Sequence, residues 1–298
     1  MAAVVCLGMA VRDFVFSVPA VPPAAQKTTA SAFHRRGGGM AATAAVAASA
    51  LGGSVEYWGR LGDDETGREL RDELESHGVR VRASSPQGTR TPTASVLVAP
   101  DGERMLTVFP GRLDDSIDWL PLDHLAAVQA VHADFRWPQG ARALYAAAAA
   151  RRIPRVLDAD VGDPGTVQSL LPLADHIIFS ESAFAQLAGE VDVESGLRKI
   201  AALTAGVVGV TLGERGSVFR VDGVTHRVPA LAVEALDTNG AGDVFHGAYA
   251  LAVAEGMQAL DAIRFASVAA ALKCRSGSGW EAAPGRAAVN DFLKGCTW

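Results

Sequence analysis

The feature that most constrains the fold is an alternation of short β-branched segments with alanine-rich segments, which continues along most of the 298 residues. We predict strands for six of the short segments: 3–8, 54–59, 130–133, 155–157, 176–179 and 207–211. A helical pattern follows most of them. Because parallel strands need a crossover connection, this order predicts a doubly wound α/β fold, with a mainly parallel sheet covered by helices on both faces.

Two segments depart from this alternation. Residues 14–33 are interrupted by prolines and partly extended, whereas 94–98 and 104–109 flank a Pro-Asp-Gly sequence that is typical of a hairpin turn. We interpret them together as a small β-sheet lid, formed by about 14–36 and 90–112 of a single domain that spans the chain. We expect it to cover the carboxyl ends of the main strands, where open α/β sheets bind ligands.

Composition excludes several classes of partner. The net charge of −6 argues against nucleic acid and anionic membranes as partners. The longest weakly polar stretch, 40–51, is shorter than the roughly 20 residues that span a bilayer, and the first residues do not form a secretion signal. Cys6, Cys274 and Cys296 have neither paired nor metal-like spacing, so we expect a reducing, cytoplasmic setting.

The strongest chemical signal lies in residues 237–243, which read Asp-Thr-Asn-Gly-Ala-Gly-Asp. The apolar, alanine-rich stretch 244–254 predicts a buried helix whose first turn contains 240–242. The first turn of a helix has N–H groups without intrahelical partners and carries partial positive charge, so it can bind a phosphate without a basic side chain.

A carboxylate follows this predicted anion site directly. We assign the backbone of Gly240, Ala241 and Gly242 to the stabilisation of a transferred phosphoryl group, and Asp243 to the general base that receives the proton of an acceptor hydroxyl. A simpler alternative is that the glycines only form a turn and that Asp243 only caps the helix.

Four ordered motifs resemble the ribokinase-like carbohydrate kinases over almost the whole chain. They are Gly37-Gly38-Gly39 with the following alanine-rich helix and Leu51-Gly52, then Trp58-Gly59-Arg60-Leu61-Gly62-Asp63-Asp64-Glu65-Thr66-Gly67, then Thr211-Leu212-Gly213-Glu214-Arg215-Gly216, and last 237–243. The resemblance implies ATP-dependent phosphorylation of a sugar or nucleoside hydroxyl with Mg²⁺. It leaves open whether a monovalent cation also binds.

The same resemblance implies further site residues. Asp13 is similar to the carboxylate that binds sugar hydroxyls in this family, and Gly38 and Gly39 would let the backbone approach the sugar. An alternative for Asp13 is a turn residue at the end of a strand.

For the nucleotide, the resemblance implies binding by Thr211, Gly213 and Gly216, with the helix 265–274 and Gly277 beside the adenine. Gly213 and Gly216 have the alternative of a plain hairpin turn.

The chain departs from the family pattern at two places. Thr43 stands where many sugar kinases of this family have an asparagine that contacts the sugar. The Asn-x-x-Glu motif associated with magnesium is missing, because the corresponding stretch reads Ser180-Glu181-Ser182-Ala183. Glu181 is a candidate to compensate, but the metal ligands stay unassigned.

Residues 37–48, 133–137, 179–181 and 243–248 together resemble the bacterial sulfofructose kinases, with ketohexokinases as more distant relatives. This narrower resemblance implies a 6-substituted ketose that is phosphorylated at its 1-hydroxyl.

Lys27 and Arg136 match the positions that would hold the anionic group of such a ketose, and arginine suits planar oxyanions. The alternatives are an exposed lid lysine and an ion pair of Arg136 with Asp134 or Asp158. Val108 replaces an asparagine of the sulfofructose kinases, so part of that anion site is expected to be absent.

Competing functions stay open at this point. They are a kinase of an unsubstituted sugar or of a nucleoside, and a non-catalytic sensor that keeps the pocket. His246, three residues after Asp243, is interpreted as a hydrogen-bonded packing residue. A homodimer could form through an exposed edge of the lid.

Overall fold

The computed structural model describes residues 1–189, 191–204, 206–296 and 298, which form thirteen strands and nine α-helices. The strands are β1 (Ala3–Gly8), β2 (Val11–Ser17), β3 (Ala32–Gly38), β4 (Ser54–Arg60), β5 (Arg80–Ser84), β6 (Thr93–Val98), β7 (Arg104–Phe109), β8 (Ala130–Asp134), β9 (Arg155–Ala159), β10 (His176–Ser180), β11 (Val207–Thr211), β12 (Ser217–Val221) and β13 (Val224–Val228). The helices are α1 (Met40–Ala50), α2 (Glu65–Ser76), α3 (Pro138–Ala150), α4 (Pro164–Leu170), α5 (Glu181–Ala188), α6 (Val193–Ala201), α7 (Ala241–Ala254), α8 (Ala259–Ser276) and α9 (Arg286–Lys294).

Nine strands form one large sheet in the order β13-β12-β11-β10-β9-β8-β1-β4-β5. The seven strands from β11 to β5 in this order pair in parallel, and β12 and β13 continue the sheet as an antiparallel hairpin. The mainly parallel, doubly wound α/β fold predicted from the alternating pattern is therefore confirmed.

The two faces of the large sheet are buried by different helices. Along β1, Val4 and Cys6 pack into a core cluster with α1, α7 and α8, whereas Val5 and Leu7 pack into a cluster with α3, α4 and α5. Because successive side chains of a strand point to opposite faces, a strand that is apolar at every position satisfies both cores.

Several helices begin at capping side chains. Asp64, Asp163, Ser180 and Asp192 each accept a hydrogen bond from a backbone N–H three residues further on. By contrast, α1 and α7 begin after Gly39 and Gly240, which have φ of 96° and 74° and offer no side-chain cap. Both of these helix starts face the cavity described below.

The remaining strands form a separate small sheet in the order β3-β2-β6-β7. The hairpin between β6 and β7 is closed by the Gly102 N–H, which donates to the Ala99 carbonyl at 3.0 Å, and Gly102 has φ of 87°. All residues of β7 are exposed. None of the described helices has the length and apolar character needed to cross a membrane.

Candidate active site

Four polar side chains lie where neighbouring strands of the large sheet end. Asp134 and Ser180 are the last residues of β8 and β10, Thr211 is the last of β11, and Asp160 follows β9 directly. The Ser180 hydroxyl donates to Asp160 Oδ1 at 2.6 Å. Because the carboxyl ends of parallel strands meet at one edge of a sheet, these side chains share that edge.

A cavity of about 360 Å³ lies between this edge and the small sheet. It brings together the following residues predicted from the sequence: Asp13, Gly38, Gly39, Thr43, Arg136, Gly240, Gly242 and Asp243. Asp160 and Lys273 also line it. The cavity therefore contains three carboxylates, two cationic side chains and the exposed start of α7.

The start of α7 has the geometry of an anion site. The Ala241 N–H donates to the Thr238 carbonyl at 3.2 Å, so it closes a turn. For the N–H groups of Gly242 and Asp243, the described residues supply no hydrogen-bond acceptor. A β-carbon on Gly242 would meet no heavy atom within 4 Å, so the space in front of these donors is open to a ligand.

Asp243 is half-buried at the wall of this cavity. Its pKa lies well above the usual range, first because burial disfavours the carboxylate and then because the Asp158 carboxylate is near, with smaller effects from Asp160 and Asp134 in the same direction. His246 opposes the shift. A carboxylate with a raised pKa accepts a proton more readily, which is the property that a general base needs.

Asp13 reaches the cavity from β2. Burial raises its pKa to about 6, against the opposing effect of the Arg12 and Arg36 guanidinium groups. A β-carbon on Gly38 would lie 2.6 Å from Asp13 Oδ2, so the carboxylate packs directly against the backbone of residue 38. The glycine is required here because an alanine would displace Asp13.

The glycine stretch 37–39 is held by contacts that its own sequence does not reveal. Glu73 on α2 accepts the Gly37 N–H at 3.0 Å, and it also accepts from the buried Arg12 Nη1 at 2.5 Å. The Trp280 ring packs against Gly37, and its Nε1–H donates to Thr43 Oγ1 at 2.9 Å. Thr43 is thus engaged with Trp280 while it lines the cavity.

Asp134 organises the cavity edge and was not predicted to do so. Its buried carboxylate accepts backbone N–H groups from Met9 at 2.8 Å, Ala41 at 3.2 Å and Arg136 at 2.9 Å. These bonds tie the ends of β1 and β8 to the start of α1. The only sequence signal was an aspartate that closes a buried strand.

The Arg136 side chain is exposed and lines the cavity. Its guanidinium donates to the Val161 carbonyl at 2.9 Å and lies 4.5 Å from the centre of the Phe135 ring. Among the described residues, no carboxylate forms an ion pair with Arg136. The alternative of an ion pair with Asp134 or Asp158 is therefore not what the structure shows.

His246 is buried beneath the start of α7. Its Nδ1 lies 2.8 Å from the Gly242 carbonyl and 3.3 Å from Asp158 Oδ2, and its Nε2 lies 3.3 Å from the Ile178 carbonyl. Burial lowers its pKa. These contacts fit the interpretation of a hydrogen-bonded packing histidine.

The residues assigned to the nucleotide lie outside the cavity wall. Thr211 ends β11, and Gly213 and Gly216, with φ of 59° and 81°, form the turn from β11 into the antiparallel β12. A β-carbon on Gly216 would lie 2.2 Å from the Val228 carbonyl oxygen. Gly277 follows α8 with φ of 117°. The hairpin-turn alternative is thus what the backbone shows for the two glycines, and it is compatible with a nucleotide contact.

Two further predicted positions differ in their placement. Lys27 is exposed in the segment between β2 and β3 and is not among the residues that line the cavity. Val108 on β7 does line it, together with Leu106. This part of the wall is therefore apolar.

A magnesium ion would find few protein ligands here. In the part of the chain that the structure describes, no group of three or more His, Cys, Asp or Glu side chains could hold a metal. Glu181 is engaged in an ion pair with Arg215. Asp160 lines the cavity and is the better candidate, because Mg²⁺ in such sites uses one or two carboxylates plus the phosphates of the substrate.

Comparison with known proteins adds independent findings. The sequence model of the family described as pfkB family carbohydrate kinase matches residues 1–284. The ribokinase of Bacillus subtilis (strain 168) is 28% identical over 252 residues, which cover 83% of this chain and 84% of that protein. The fructokinase of Vibrio alginolyticus is 28% identical over 220 residues, 67% of this chain and 71% of that protein.

Among solved structures, an Agrobacterium tumefaciens protein assigned as a ribokinase superposes with a TM-score of 0.93 and 35% identity, over 99% of this chain and 98% of that one. The Arabidopsis thaliana ribokinase solved with ribose and ATP superposes with a TM-score of 0.83 over 98% of each chain. At 24% identity, the latter shows the fold alone.

Proposed function

The chain belongs to the pfkB family of carbohydrate kinases, and we propose that this ATP-dependent sugar kinase of the ribokinase and fructokinase type phosphorylates the 1-hydroxyl of a ketose with an anionic group at carbon 6, such as 6-deoxy-6-sulfofructose. The observation that carries this proposal is the single cavity that Asp13, Arg136 and Asp243 line together. A carboxylate for sugar hydroxyls, a cation for the anionic group and a base for the acceptor hydroxyl are then available to one bound molecule.

In the proposed reaction, Asp13 binds hydroxyls of the sugar and orients the acceptor hydroxyl toward Asp243. The Asp243 carboxylate takes the proton of that hydroxyl as the hydroxyl oxygen forms a bond to the terminal phosphorus of ATP. The bond between that phosphorus and the bridging oxygen breaks, and ADP leaves. The N–H groups at the start of α7, which we assign to 240–242, bind the oxygens of the transferred group. Gly242 is available directly, whereas the Ala241 N–H must first leave the Thr238 carbonyl. Mg²⁺ bound with ATP would neutralise phosphate charge, and we assign Asp160 as the side chain that holds it.

We propose that the nucleotide lies along the turn after β11, in contact with Thr211, Gly213 and Gly216, and that Gly277 lies beside the adenine. A β-carbon on Gly213 or on Gly277 would meet no heavy atom within 4 Å, so the backbone there has open space that a flat base can approach. The turn continues from the sheet edge that also carries Asp160 and Ser180, so the phosphates would point toward the cavity.

For the anionic group, the free face of Arg136 is the main proposed contact. Its stacking on Phe135 and its bond to Val161 fix the guanidinium without neutralising it. We further propose that Lys27 contacts the anion when the segment between β2 and β3 closes over the substrate.

A second candidate is a kinase of an uncharged sugar. The apolar wall formed by Leu106 and Val108 favours it, as does the position of Lys27 outside the cavity. The names of the similar proteins, ribokinase and fructokinase, also fit this alternative. A nucleoside kinase or a sensor without turnover has no specific contact in its favour.

The test is a coupled ADP-release assay with 6-deoxy-6-sulfofructose, fructose 6-phosphate, fructose, ribose and a nucleoside, followed by NMR of the phosphorylated position. We expect the highest kcat/KM for one of the two anionic ketoses and a 1-phosphate product. Higher kcat/KM for fructose or ribose would reject the anionic ketose and favour the second candidate.

Arg136→Ala tests in the same assay whether this side chain binds the anionic group. We expect KM to rise about 10-fold or more for the anionic ketoses, because a charge-assisted hydrogen bond is lost, and to change less than about twofold for fructose. Arg151→Ala is the matched control, since Arg151 is exposed and its Nη1 donates to a carbonyl of its own helix. An equal loss on fructose would contradict the proposed role.

We also propose a cytoplasmic setting, because ATP is available there and because Cys6, Cys274 and Cys296 are free thiols.

The lid sheet has an exposed terminal strand, β7, and we propose that two copies pair along it. Light scattering that shows a single copy at all concentrations would reject this pairing.

A further inference from the structure

Lys273 is a buried lysine in the last two turns of α8. Only 2% of it is exposed, and it lies in a helix that otherwise buries apolar residues such as Val268 and Leu272. Burial lowers the pKa of its ammonium group, and the neighbouring Asp237 carboxylate opposes this shift. A buried ammonium is costly unless it is hydrogen-bonded and paired, so a specific arrangement must compensate for it.

The compensation comes from the residue that opens the stretch 237–243. The Lys273 Nζ donates to the Asp237 carbonyl at 2.9 Å and lies 3.9 Å from Asp237 Oδ2. Lys273 also lines the cavity, together with Gly240 and Asp243. The ammonium is therefore a fixed positive charge between the end of α8 and the start of α7.

Asp237 links this charge to the turn that precedes α7. Its Oδ1 accepts the Asn239 N–H at 2.8 Å, and the next residue, Thr238, accepts the Ala241 N–H at 3.2 Å. The turn ends at Gly240, whose left-handed backbone, with φ of 74°, sets the direction of the N–H groups that follow it. A continuous series of contacts thus runs from Lys273 to the first turn of α7.

A second cation also contacts this turn. Arg104 on β7 donates to Thr238 Oγ1 at 3.0 Å and to Asn239 Oδ1 at 3.3 Å. Arg104 lies on β7, whose residues are all exposed, whereas Lys273 is buried. The contact of the lysine with the turn is therefore the one that is shielded from solvent.

We propose that Lys273 is a positioning residue, a built-in cation that orients Asp237 and through it the amides of 240–242 toward the transferred phosphoryl group. This inference rests on the proposed function, in which those amides bind that group. Lys273 acts on the step in which charge develops, so its removal should lower kcat more than it raises the KM of the sugar.

The charge of Lys273 can be separated from its role in packing. Lys273→Met removes the charge and retains most of the volume, and the backbone still holds this region, because the Leu236 and Asp237 N–H groups donate to the Cys274 carbonyl at 2.9 and 3.2 Å. Lys273→Ala instead leaves a gap beside the Asp237 carbonyl and carboxylate. Ammonium and K⁺ ions bind such oxygens, so they can fill the gap and restore the charge.

The experiment measures kcat and sugar KM in tetramethylammonium chloride, with and without KCl, NH₄Cl or methylammonium chloride at constant ionic strength. We expect Lys273→Met to lose about 10-fold or more in kcat, with sugar KM changed less than about threefold. We expect one of the small cations to raise kcat of Lys273→Ala about fivefold or more and to leave the wild type unchanged. Lys294→Met, on the exposed Lys294, is the control for loss of a lysine elsewhere.

Three results would overturn the inference: a folded Lys273→Met with kcat within about twofold of wild type, a Lys273→Ala variant that no cation restores, or wild-type turnover that K⁺ itself stimulates about fivefold. If neither Lys273 variant folds, Asp237→Asn is measured instead, because this variant keeps the lysine and removes its carboxylate partner. A near-normal kcat of Asp237→Asn would also overturn the inference. Asp243→Asn is measured in parallel. An active Asp243→Asn rejects the proposed function, whereas an inactive one beside a normal Lys273→Met rejects only this inference.

Discussion

The glycines of this site differ in the physical constraints that act on them. Gly38 has no room for a β-carbon because Asp13 Oδ2 is 2.6 Å from where that carbon would be. Gly240 has space around it but needs a left-handed backbone. Gly242 has neither constraint, since its φ is not positive and a β-carbon would meet no heavy atom within 4 Å. The fold itself therefore does not require a glycine at 242, and we infer that the space is kept for the proposed phosphoryl group.

Gly242→Ala tests that conclusion. Alanine is the better helix former, so we expect the melting temperature to stay the same or rise, with a gain of up to about 1 kcal/mol in the free energy of unfolding. Turnover should fall about 10-fold or more, because the new methyl group occupies the approach to the amides. Calorimetry and the coupled assay together distinguish the outcomes, and unchanged turnover would contradict an anion site at this helix start. Gly285→Ala, at another site with open space around the β-carbon, is the control.

The Asp13 carboxyl group makes the stability of the fold depend on pH. Its pKa is about 6 in the folded protein, whereas an unfolded aspartate titrates at about 3.9. Between these values the folded state binds more protons, so this residue lowers the stability of the fold as the pH rises through the window. Asp13→Asn removes this loss of stability at the higher pH.

We therefore expect the melting temperature of Asp13→Asn, relative to wild type, to be higher at pH 7 than at pH 4, while sugar KM at pH 7 rises about 10-fold. Asp163→Asn is a control of opposite sign. Hydrogen bonds from Thr166 lower the pKa of Asp163, so that carboxylate stabilises the fold once it is ionised. A pH-independent difference between Asp13→Asn and wild type would show that Asp13 does not titrate in this window.

At the scale of elements, the sequence revealed the strands of the large sheet that are buried on both faces and missed β5 at one end of that sheet and the hairpin of β12 and β13 at the other. Predicted strand 207–211 coincides with β11. By contrast, β5 reads Arg-Val-Arg-Ala-Ser at the edge of the sheet, where polar side chains reach solvent. The hairpin of β12 and β13 carried a usable signal in Asp222-Gly223, both with positive φ, which is a turn sequence typical of hairpins.

The small sheet also makes a contact that sequence spacing could not reveal. Arg104 on β7 bonds to Thr238 and Asn239, which lie 134 and 135 positions further along the chain. This contact joins the small sheet to the turn before α7. We infer that it helps to keep water away from the phosphoryl group during transfer.

Arg104→Met should weaken the contact between the small sheet and the turn before α7. We expect sugar phosphorylation to slow about 3- to 10-fold and more ADP to form per molecule of sugar phosphate, because water competes as the acceptor. The ratio of the two products, measured by chromatography, checks this expectation. Arg112→Met, an exposed arginine of the same region, should keep the wild-type ratio. An unchanged ratio in Arg104→Met would mean that the lid excludes water without this contact.

For the whole molecule, the sequence predicted the residues that line the cavity better than the residues that hold them in place. Asp243 and the glycines stand in short local motifs, so their types and spacing carried the chemistry. Asp134 and Trp280 act through partners far away in the chain: Trp280 bonds to Thr43 across 237 positions, and Asp134 gathers the ends of two strands with the start of α1. Such contacts depend on how the sheet is ordered, which no local pattern specifies.

For the whole molecule, we propose that the cavity assembles both substrates around Asp243 and that this carboxylate enables transfer. The most direct measurement is isothermal titration of Asp243→Asn with ATP and with the preferred sugar, followed by single-turnover phosphorylation. We predict dissociation constants within about threefold of wild type and phosphoryl transfer slower by about 100-fold or more. Transfer at a near-normal rate, with binding intact, would contradict the claim.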